Sequence, residues 1–133
     1  MGYTSTVKFA VRKDVYLKCM LLQNIPKCLQ EDDINIIITP HKDAMYWEIH
    51  GWKWYDSYPD IQEIHAWFDW LEDEEENPPK SVEYARDKDN KPIMGNCPAF
   101  GGIRIGEDNT DIQEWGYPSD FDLYVSVAIQ SPY

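Results

Sequence analysis

The chain has 133 residues, which is the length of one ordinary domain, and we predict a single domain over residues 1–133. Twenty-four acidic residues face twelve basic ones, for a net charge of −12. A surface of this sign repels DNA phosphates and anionic membranes, which argues against direct binding of nucleic acid or of a membrane.

The three cysteines, Cys19, Cys28 and Cys97, are widely spaced and form no C-x-x-C pair. The sequence therefore predicts neither a zinc site nor a disulfide framework, and it favours a reducing, cytoplasmic location. No run of about 18 apolar residues is present, so we expect no membrane span. We also expect no cofactor and no metal.

The first predicted element is a β-strand over residues 3–11, where polar and apolar positions alternate and β-branched side chains are frequent. Alternation divides the strand into two faces. One face carries Val7, Phe9 and Val11, and the other carries Thr6, Lys8 and Ala10.

A helix is predicted over residues 13–23, ending before Pro26. Its side chains form a stripe at helical spacing, with Tyr16, Met20 and Gln23 in one line and Leu17 and Leu21 beside it. Such a stripe is typical of the helix face that packs on a core.

Two strands are predicted next, over residues 34–40 and 44–55. In the second strand one face carries Tyr46, Glu48, His50, Trp52 and Trp54, and the other carries Met45, Trp47 and Ile49. Gly51 in the middle predicts a bulge, which would switch the face of the residues that follow it.

The second helix follows the aromatic stretch "HGWKWYDSYPD" at residues 50–60. Ser57 and Asp60 have the spacing of a capping box, and Pro59 suits the first turn. The apolar stripe of this helix consists of Ile61, Ile64, Trp67, Phe68 and Leu71. We expect the aromatic stretch to lock the helix onto the sheet.

The remaining chain predicts a hairpin or loop excursion at residues 77–99, a strand at 99–108, a short helical turn or loop at 109–116 and a final strand at 121–129. The resulting order is β-α-β-β-α-(hairpin)-β-β. It indicates an α+β fold in which two helices pack on one face of a mostly antiparallel sheet.

An acidic run, "EDEEE" at residues 72–76, ends the second helix. Acids at a helix C-terminus oppose the macrodipole, so local electrostatics disfavours the run and suggests that it serves binding. The predicted protein-binding residues are Asp69, Glu72, Asp73, Glu74, Glu75, Glu76, Glu107, Asp108 and Asp111.

Three blocks of the chain, "YTSTVKFAV", "WEIHGWKWYDSYPDIQEI" and "GGIRIGEDNTDIQEWG…DLYVSVAI", together resemble small accessory proteins of tailed bacteriophages. The resemblance covers about half of the chain, and residues 77–99 lie outside it. It implies a compact α+β fold and a place in the cytoplasm of an infected bacterium. It brings no catalytic residues.

The leading hypothesis is a non-enzymatic, acidic protein-binding module that docks on a basic, nucleic-acid-binding surface of a host protein. It could act as an inhibitor or modulator that mimics nucleic acid. A homodimer through an edge strand is a further expectation.

Two alternatives stay open. A small-molecule or nucleotide pocket could be built by Trp52, Trp54, Tyr55 and Tyr58, with Lys8, Arg12 and Lys53 as a basic patch. A metal-assisted hydrolase could use His50 and His65, which could meet in space, together with carboxylates.

Overall fold

A computed structural model of the protein describes residues 3–30, 35–41, 43–108, 110–121 and 123. The helices and strands assigned there are β1 (Ser5–Arg12), α1 (Lys13–Leu22), β2 (Ile36–Pro40), β3 (Ala44–Trp52), α2 (Pro59–Glu72), β4 (Lys80–Arg86), β5 (Pro92–Cys97), β6 (Phe100–Gly106) and β7 (Ile112–Gly116). Short 3-10 turns cover Lys27–Leu29 and Pro118–Phe121.

The strands form a five-stranded antiparallel sheet in the order β2-β3-β1-β6-β7, and β4 and β5 form a separate hairpin. Both helices contribute to the core cluster on one face of the sheet. The predicted α+β class is therefore confirmed.

Strand β1 lies at the centre of the sheet, and its alternation decides which face becomes the core. Val7, Phe9 and Val11 are fully buried beneath the helices, as predicted. On the other face, Lys8 Nζ pairs with Glu48 Oε1 of β3 at 2.8 Å. Burial of the apolar face of β1 thus fixes the register of the sheet.

The predicted bulge at Gly51 is confirmed. Gly51 has a φ of 66°, and the pairing of β1 with β3 shifts in register at this point. Trp47 and Ile49 face the helices before the bulge, and Trp52 and Trp54 pack against the same core cluster after it. The strand ends at Trp52 rather than at residue 55.

Helix α2 begins at Pro59 and buries its entire predicted stripe, which consists of Ile61, Ile64, Trp67, Phe68 and Leu71. The predicted capping box is wrong. Tyr58 is the N-cap and makes no side-chain capping bond, while Asp60 lies in the first turn and accepts the N–H of Ile61. Burial of the stripe, rather than a side-chain cap, therefore holds this helix in place.

The predicted stripe of α1 is wrong except at Tyr16, which packs against the core cluster. The residues that the helix buries are Val15 and Cys19. Leu17, Met20, Leu21 and Leu22 are exposed by 52%, 52%, 86% and 56%. The helix follows β1 without a linker, and its entry is fixed by backbone bonds from Arg12 N to Ala99 O and from Lys13 N to Asp43 O, both 2.8 Å. The strand, not the apolar stripe, therefore sets the rotation of the helix.

The hairpin predicted within residues 77–99 is confirmed as β4 and β5. It covers the other face of the sheet, where Val82 packs against a small cluster of Ala10, Ala44, Cys97 and Phe121. No helix in the described ranges is long and apolar enough to cross a bilayer.

The turn or short helix predicted at residues 109–116 is wrong, because Ile112–Gly116 form strand β7 and pair with β6. The sheet edge offered by β6 outweighs the weak local preference of this segment. Phe121 belongs to a 3-10 turn, and residues 122 and 124–129 of the predicted final strand lie outside the described residues.

Arg12 joins the hairpin to the sheet although it is only 2% exposed. Its Nη1 donates to Cys97 O at 2.5 Å, its Nη2 donates to Pro78 O at 2.9 Å, and its Nε pairs with Asp14 Oδ1 at 2.6 Å. Burial alone would raise the pKa of Asp14, but hydrogen bonds from Arg12 and Lys80 lower it below its ordinary value. The guanidinium of Arg12 is therefore used in contacts within the fold. It does not contribute to the basic patch for a nucleotide that we considered with Lys8 and Lys53.

Candidate functional site

The predicted acidic run lies at the C-terminal end of α2, and Asp69 precedes it by three positions. All six of these acids are exposed: Asp69, Glu72, Asp73, Glu74, Glu75 and Glu76. The helix ends at Glu72, and Asp73 leaves it in an extended conformation with φ −66° and ψ 107°. We call residues 69 and 72–76 the acidic end.

Asn77 holds the acidic end in a defined turn. This side chain is 4% exposed, and its Nδ2 donates to Trp70 O at 2.8 Å. The backbone N–H of Asn77 donates to Asp73 O at 2.8 Å, and Asp73 Oδ1 accepts the N–H of Glu75 at 3.0 Å. The exposed carboxylates therefore rest on an anchored backbone.

Lys18 of α1 is a basic residue whose side chain contacts the acidic end. Its Nζ donates to Glu76 O at 2.8 Å, lies 3.8 Å from Glu76 Oε2, and sits 5.4 Å from the centre of the Trp70 ring. Among the described residues no other base makes an ion pair with this group. The acidic end keeps a strong negative potential, which the negative pole of the helix dipole increases.

A cleft of about 320 Å³ opens beside the acidic end. Its walls come from the end of α2, from the link between β5 and β6, and from the end of β7: Leu71, Glu72, Glu74, Asn77, Pro98, Ala99, Phe100, Gly116 and Tyr117. Tyr117 is exposed by 56%. Carboxylates next to an exposed aromatic ring suit a cationic side chain, since the ring face attracts cations.

The close contact of β6 with β7 forms one wall of this cleft. Tyr117 N donates to Phe100 O at 3.1 Å. Gly116 has a φ of 59°, and a side chain at this position would collide with the Phe100 carbonyl. Only glycine fits there without strain, so this wall depends on the glycine at position 116.

The three remaining predicted acids belong to the turn between β6 and β7, and each has partners within the chain. Glu107 Oε1 accepts the N–H and the hydroxyl of Thr4 at 2.7 and 2.6 Å. Asp108 Oδ1 accepts backbone N–H groups of Thr110 and Asp111, both at 3.0 Å. These bonds lower the pKa of Glu107 and of Asp108 below the ordinary values.

Asp111 forms a two-point contact with the buried Arg104. Arg104 Nη2 lies 2.8 Å from Asp111 Oδ1, and Nη1 lies 3.1 Å from Oδ2. Arg104 is 8% exposed and also donates to Ser5 Oγ at 2.9 Å. The hydrogen bond from Arg104 lowers the pKa of Asp111.

The structure separates the nine predicted acids into two groups. The cleft beside the acidic end reaches Phe100 at the start of β6, whereas Glu107 follows Gly106 at its end. A strand of 7 residues spans about 20 Å. The turn carboxylates serve the fold. In the acidic end of α2, Asp73 accepts one local backbone N–H and Glu76 lies near Lys18, while Asp69, Glu72, Glu74 and Glu75 are exposed.

Asp111→Asn should weaken the dependence of stability on pH in the acid range. Because the pKa of Asp111 is lowered in the folded state, the unfolded chain takes up this proton first as the pH falls below the ordinary value of 3.8. The carboxylate therefore stabilises the fold above that pH and loses its effect as the pH falls through the folded pKa.

Urea unfolding between pH 7 and pH 2.5 checks this expectation. The stability of the wild type should exceed that of the variant most at neutral pH, and the difference should shrink in acid. Two parallel curves would show that the pair with Arg104 does not act in this way.

The four aromatic residues of the alternative pocket, Trp52, Trp54, Tyr55 and Tyr58, differ in how deeply their side chains are buried. Trp54 is 8% exposed and belongs to the core cluster, and its ring lies 4.9 Å from that of the half-buried Trp52. Tyr55 Oη accepts the N–H of Tyr3 at 2.8 Å, and its ring lies 5.1 Å from that of the exposed Tyr58. The four side chains therefore join the bulge to the start of α2.

The histidines considered for a hydrolase have separate carboxylate neighbours. His50 Nε2 lies 3.4 Å from Glu48, and His65 Nε2 lies 3.4 Å from Asp56 while its ring packs beside Trp54. Within the described part of the chain, no group of three or more His, Cys, Asp or Glu residues is arranged to hold a metal ion.

Comparison with known proteins identifies no relative of this chain. A scan against protein-family models finds no match, and searches of curated proteins and of solved structures find no similar chain. The candidate site therefore rests on its own geometry.

Sequence reasoning missed Lys18, Asn77 and Tyr117. Lys18 and Glu76 are separated by 58 positions, so no local spacing joins them. Asn77 does carry a signal, because it precedes Pro78 and an asparagine before a proline marks a turn. Tyr117 has none, since its position depends on β7, which the sequence pattern did not predict.

Proposed function

We propose that the protein is a non-enzymatic binding module that docks its acidic end on a basic surface of another protein. The observation that carries this proposal is an anchored, exposed run of carboxylates that has one lysine as its ion-pair partner among the described residues. Ordered carboxylates on a firm backbone can replace phosphates in a site built from lysine and arginine.

The class of partner follows from the charge. A basic surface that normally holds nucleic acid presents several cations at close spacing, and the acidic end presents several anions to match them. The resemblance to accessory proteins of tailed phages suggests a host protein as the target, and inhibition or modulation as the result. With a net charge of −12, encounters with such a partner are accelerated by attraction and slowed by salt.

The location of the acids supports a role in binding rather than in folding. Acids at a helix C-terminus each reduce stability by about 0.3 kcal/mol or more. The turn acids Glu107, Asp108 and Asp111 make hydrogen bonds that stabilise their segment, but the acidic end combines a local cost with high exposure. A cost of this kind is typical of residues retained for function.

The test compares two triple variants that remove the same charge from different places. One neutralises the acidic end with Glu72→Gln, Glu74→Gln and Glu75→Gln. The other neutralises exposed acids elsewhere with Asp89→Asn, Glu114→Gln and Asp120→Asn. Each immobilised protein is incubated with lysate at low and at high salt, and retained proteins are identified by mass spectrometry.

We expect the wild type and the second variant to retain the same basic proteins at low salt. The first variant should lose them, and high salt should release them from the wild type and from the second variant. Urea unfolding serves as a control, because neutralising the acidic end should leave stability equal or slightly higher. Equal retention by the two variants would contradict the proposal.

A further inference from the structure

Helix α1 turns an apolar face outward. Leu21 is 86% exposed, and its neighbours on the helix surface, Leu17, Met20 and Leu22, are each at least half exposed. Contiguous exposed apolar side chains on a protein surface mark interaction sites more often than accidents of folding. We call these four residues the leucine face.

The leucine face and the acidic end meet at Lys18. Leu21 and Leu22 follow Lys18 by three and four positions, so the three side chains share one side of α1. The Lys18 ammonium contacts Glu76 and lies over the Trp70 ring. The apolar and the acidic areas are therefore adjacent parts of one surface.

We propose that the leucine face and the acidic end together bind a basic amphipathic segment of a partner protein. Apolar side chains of that segment would pack on Leu17, Leu21 and Leu22, and its lysines or arginines would pair with Glu72, Glu74 and Glu75. This inference rests on the proposed function and adds to it that the partner presents an apolar stripe beside its cations.

The negative charge of this surface favours a basic amphipathic segment over an acidic segment, an anionic membrane or a second copy of the chain. An acidic amphipathic segment would be repelled by the acidic end, and an anionic membrane would meet the same repulsion. A second copy of the chain would bring its own net charge of −12 to the contact. A basic amphipathic helix offers both complements, as in the helix-in-groove mode of peptide recognition.

The experiment measures binding of three designed peptides by fluorescence anisotropy. The first is an amphipathic helix made of leucine and lysine, the second has the same charge but replaces leucine by serine, and the third is amphipathic but carries glutamate in place of lysine. Three variants are compared with the wild type. The first is Leu21→Ser with Leu22→Ser, the second is the triple variant Glu72→Gln, Glu74→Gln and Glu75→Gln, and the third is Ile93→Ser with Met94→Ser, a control at exposed apolar positions of β5.

The leucine–lysine peptide should bind best. The Leu21→Ser, Leu22→Ser variant should weaken it by about tenfold or more, because burial of even one leucine side chain accounts for a change of that size. The control variant should bind it as the wild type does. The serine–lysine peptide should bind at least about tenfold more weakly and should not respond to loss of the leucines.

Other results separate this inference from the proposed function. If both cationic peptides bind equally and respond only to Glu72→Gln, Glu74→Gln and Glu75→Gln, the inference fails while the proposed function stands. If no variant changes peptide binding, both fail. If sedimentation shows a dimer that Leu21→Ser and Leu22→Ser dissociate, a second copy covers the leucine face and the inference is overturned.

Discussion

Phe9→Ala should lower the free energy of unfolding by about 3–5 kcal/mol. Phe9 is fully buried at the centre of the sheet. Its ring stacks on Trp47 with centroids 4.9 Å apart and meets Phe68 edge-on at 5.3 Å. Removal of the ring deprives α2 and the sheet of a shared contact, and a rigid aromatic cluster cannot close the cavity.

Urea unfolding followed by tryptophan fluorescence measures this loss. Leu21→Ala is the matched control, because Leu21 is 86% exposed and its replacement should change stability by less than about 0.5 kcal/mol. A loss for Phe9→Ala close to that of the control would mean that the aromatic cluster is not the centre of the fold.

Arg12→Met should lower the free energy of unfolding by roughly 2–4 kcal/mol. Methionine keeps the length of the stem but donates no hydrogen bond. The Cys97 carbonyl would lose a charged donor in a buried place, and the Pro78 carbonyl would lose one in a half-buried place. Among the described residues, Asp14 would keep only Lys80 as an ion-pair partner. The hairpin of β4 and β5 should loosen first, because Arg12 links it to the sheet.

Hydrogen exchange of the hairpin amides, together with urea unfolding, tests this expectation. Arg86→Met provides the comparison, since Arg86 is exposed and pairs with Glu83 on the surface, where such pairs contribute about 0–1 kcal/mol. Equal losses for the two variants, with unchanged exchange in the hairpin, would contradict the role assigned to Arg12.

The elements with strong periodicity could be predicted from the sequence. Strand β1 and helix α2 each have one apolar face, and the structure buries the expected residues in both. The bulge at Gly51 was also predictable, because a glycine inside an alternating strand has few other reasons to be there. In each case a local pattern and the tertiary packing favour the same arrangement.

The errors occur where tertiary contacts override the local pattern. The apolar stripe of α1 predicts the wrong face, because the strand before the helix fixes its rotation. Strand β7 has little strand character of its own and forms by pairing with β6. The buried positions of Arg12 and Arg104 were not predictable either, since their partners are distant carbonyls and a turn carboxylate.

The candidate site was predictable in part. The acidic run could be recognised from the conflict between its charge and the helix dipole. Only the structure separates the acidic end from Glu107, Asp108 and Asp111. All are carboxylates in the sequence, but the two groups lie near opposite ends of β6. The contribution of Lys18 and the leucine face could not be predicted, since both depend on the rotation of α1.

Strand β2 forms one border of the described sheet and carries no charged residue. Ile37 and Ile38 on it are exposed by 47% and 44%. Among the described strands, an uncharged border of this kind is a template on which another polypeptide can add a strand. Repulsion between molecules of net charge −12 counteracts association through this border at neutral pH. The repulsion fades near the isoelectric point of about 4.5. The excess of negative charge therefore also limits how much the protein associates in concentrated solution.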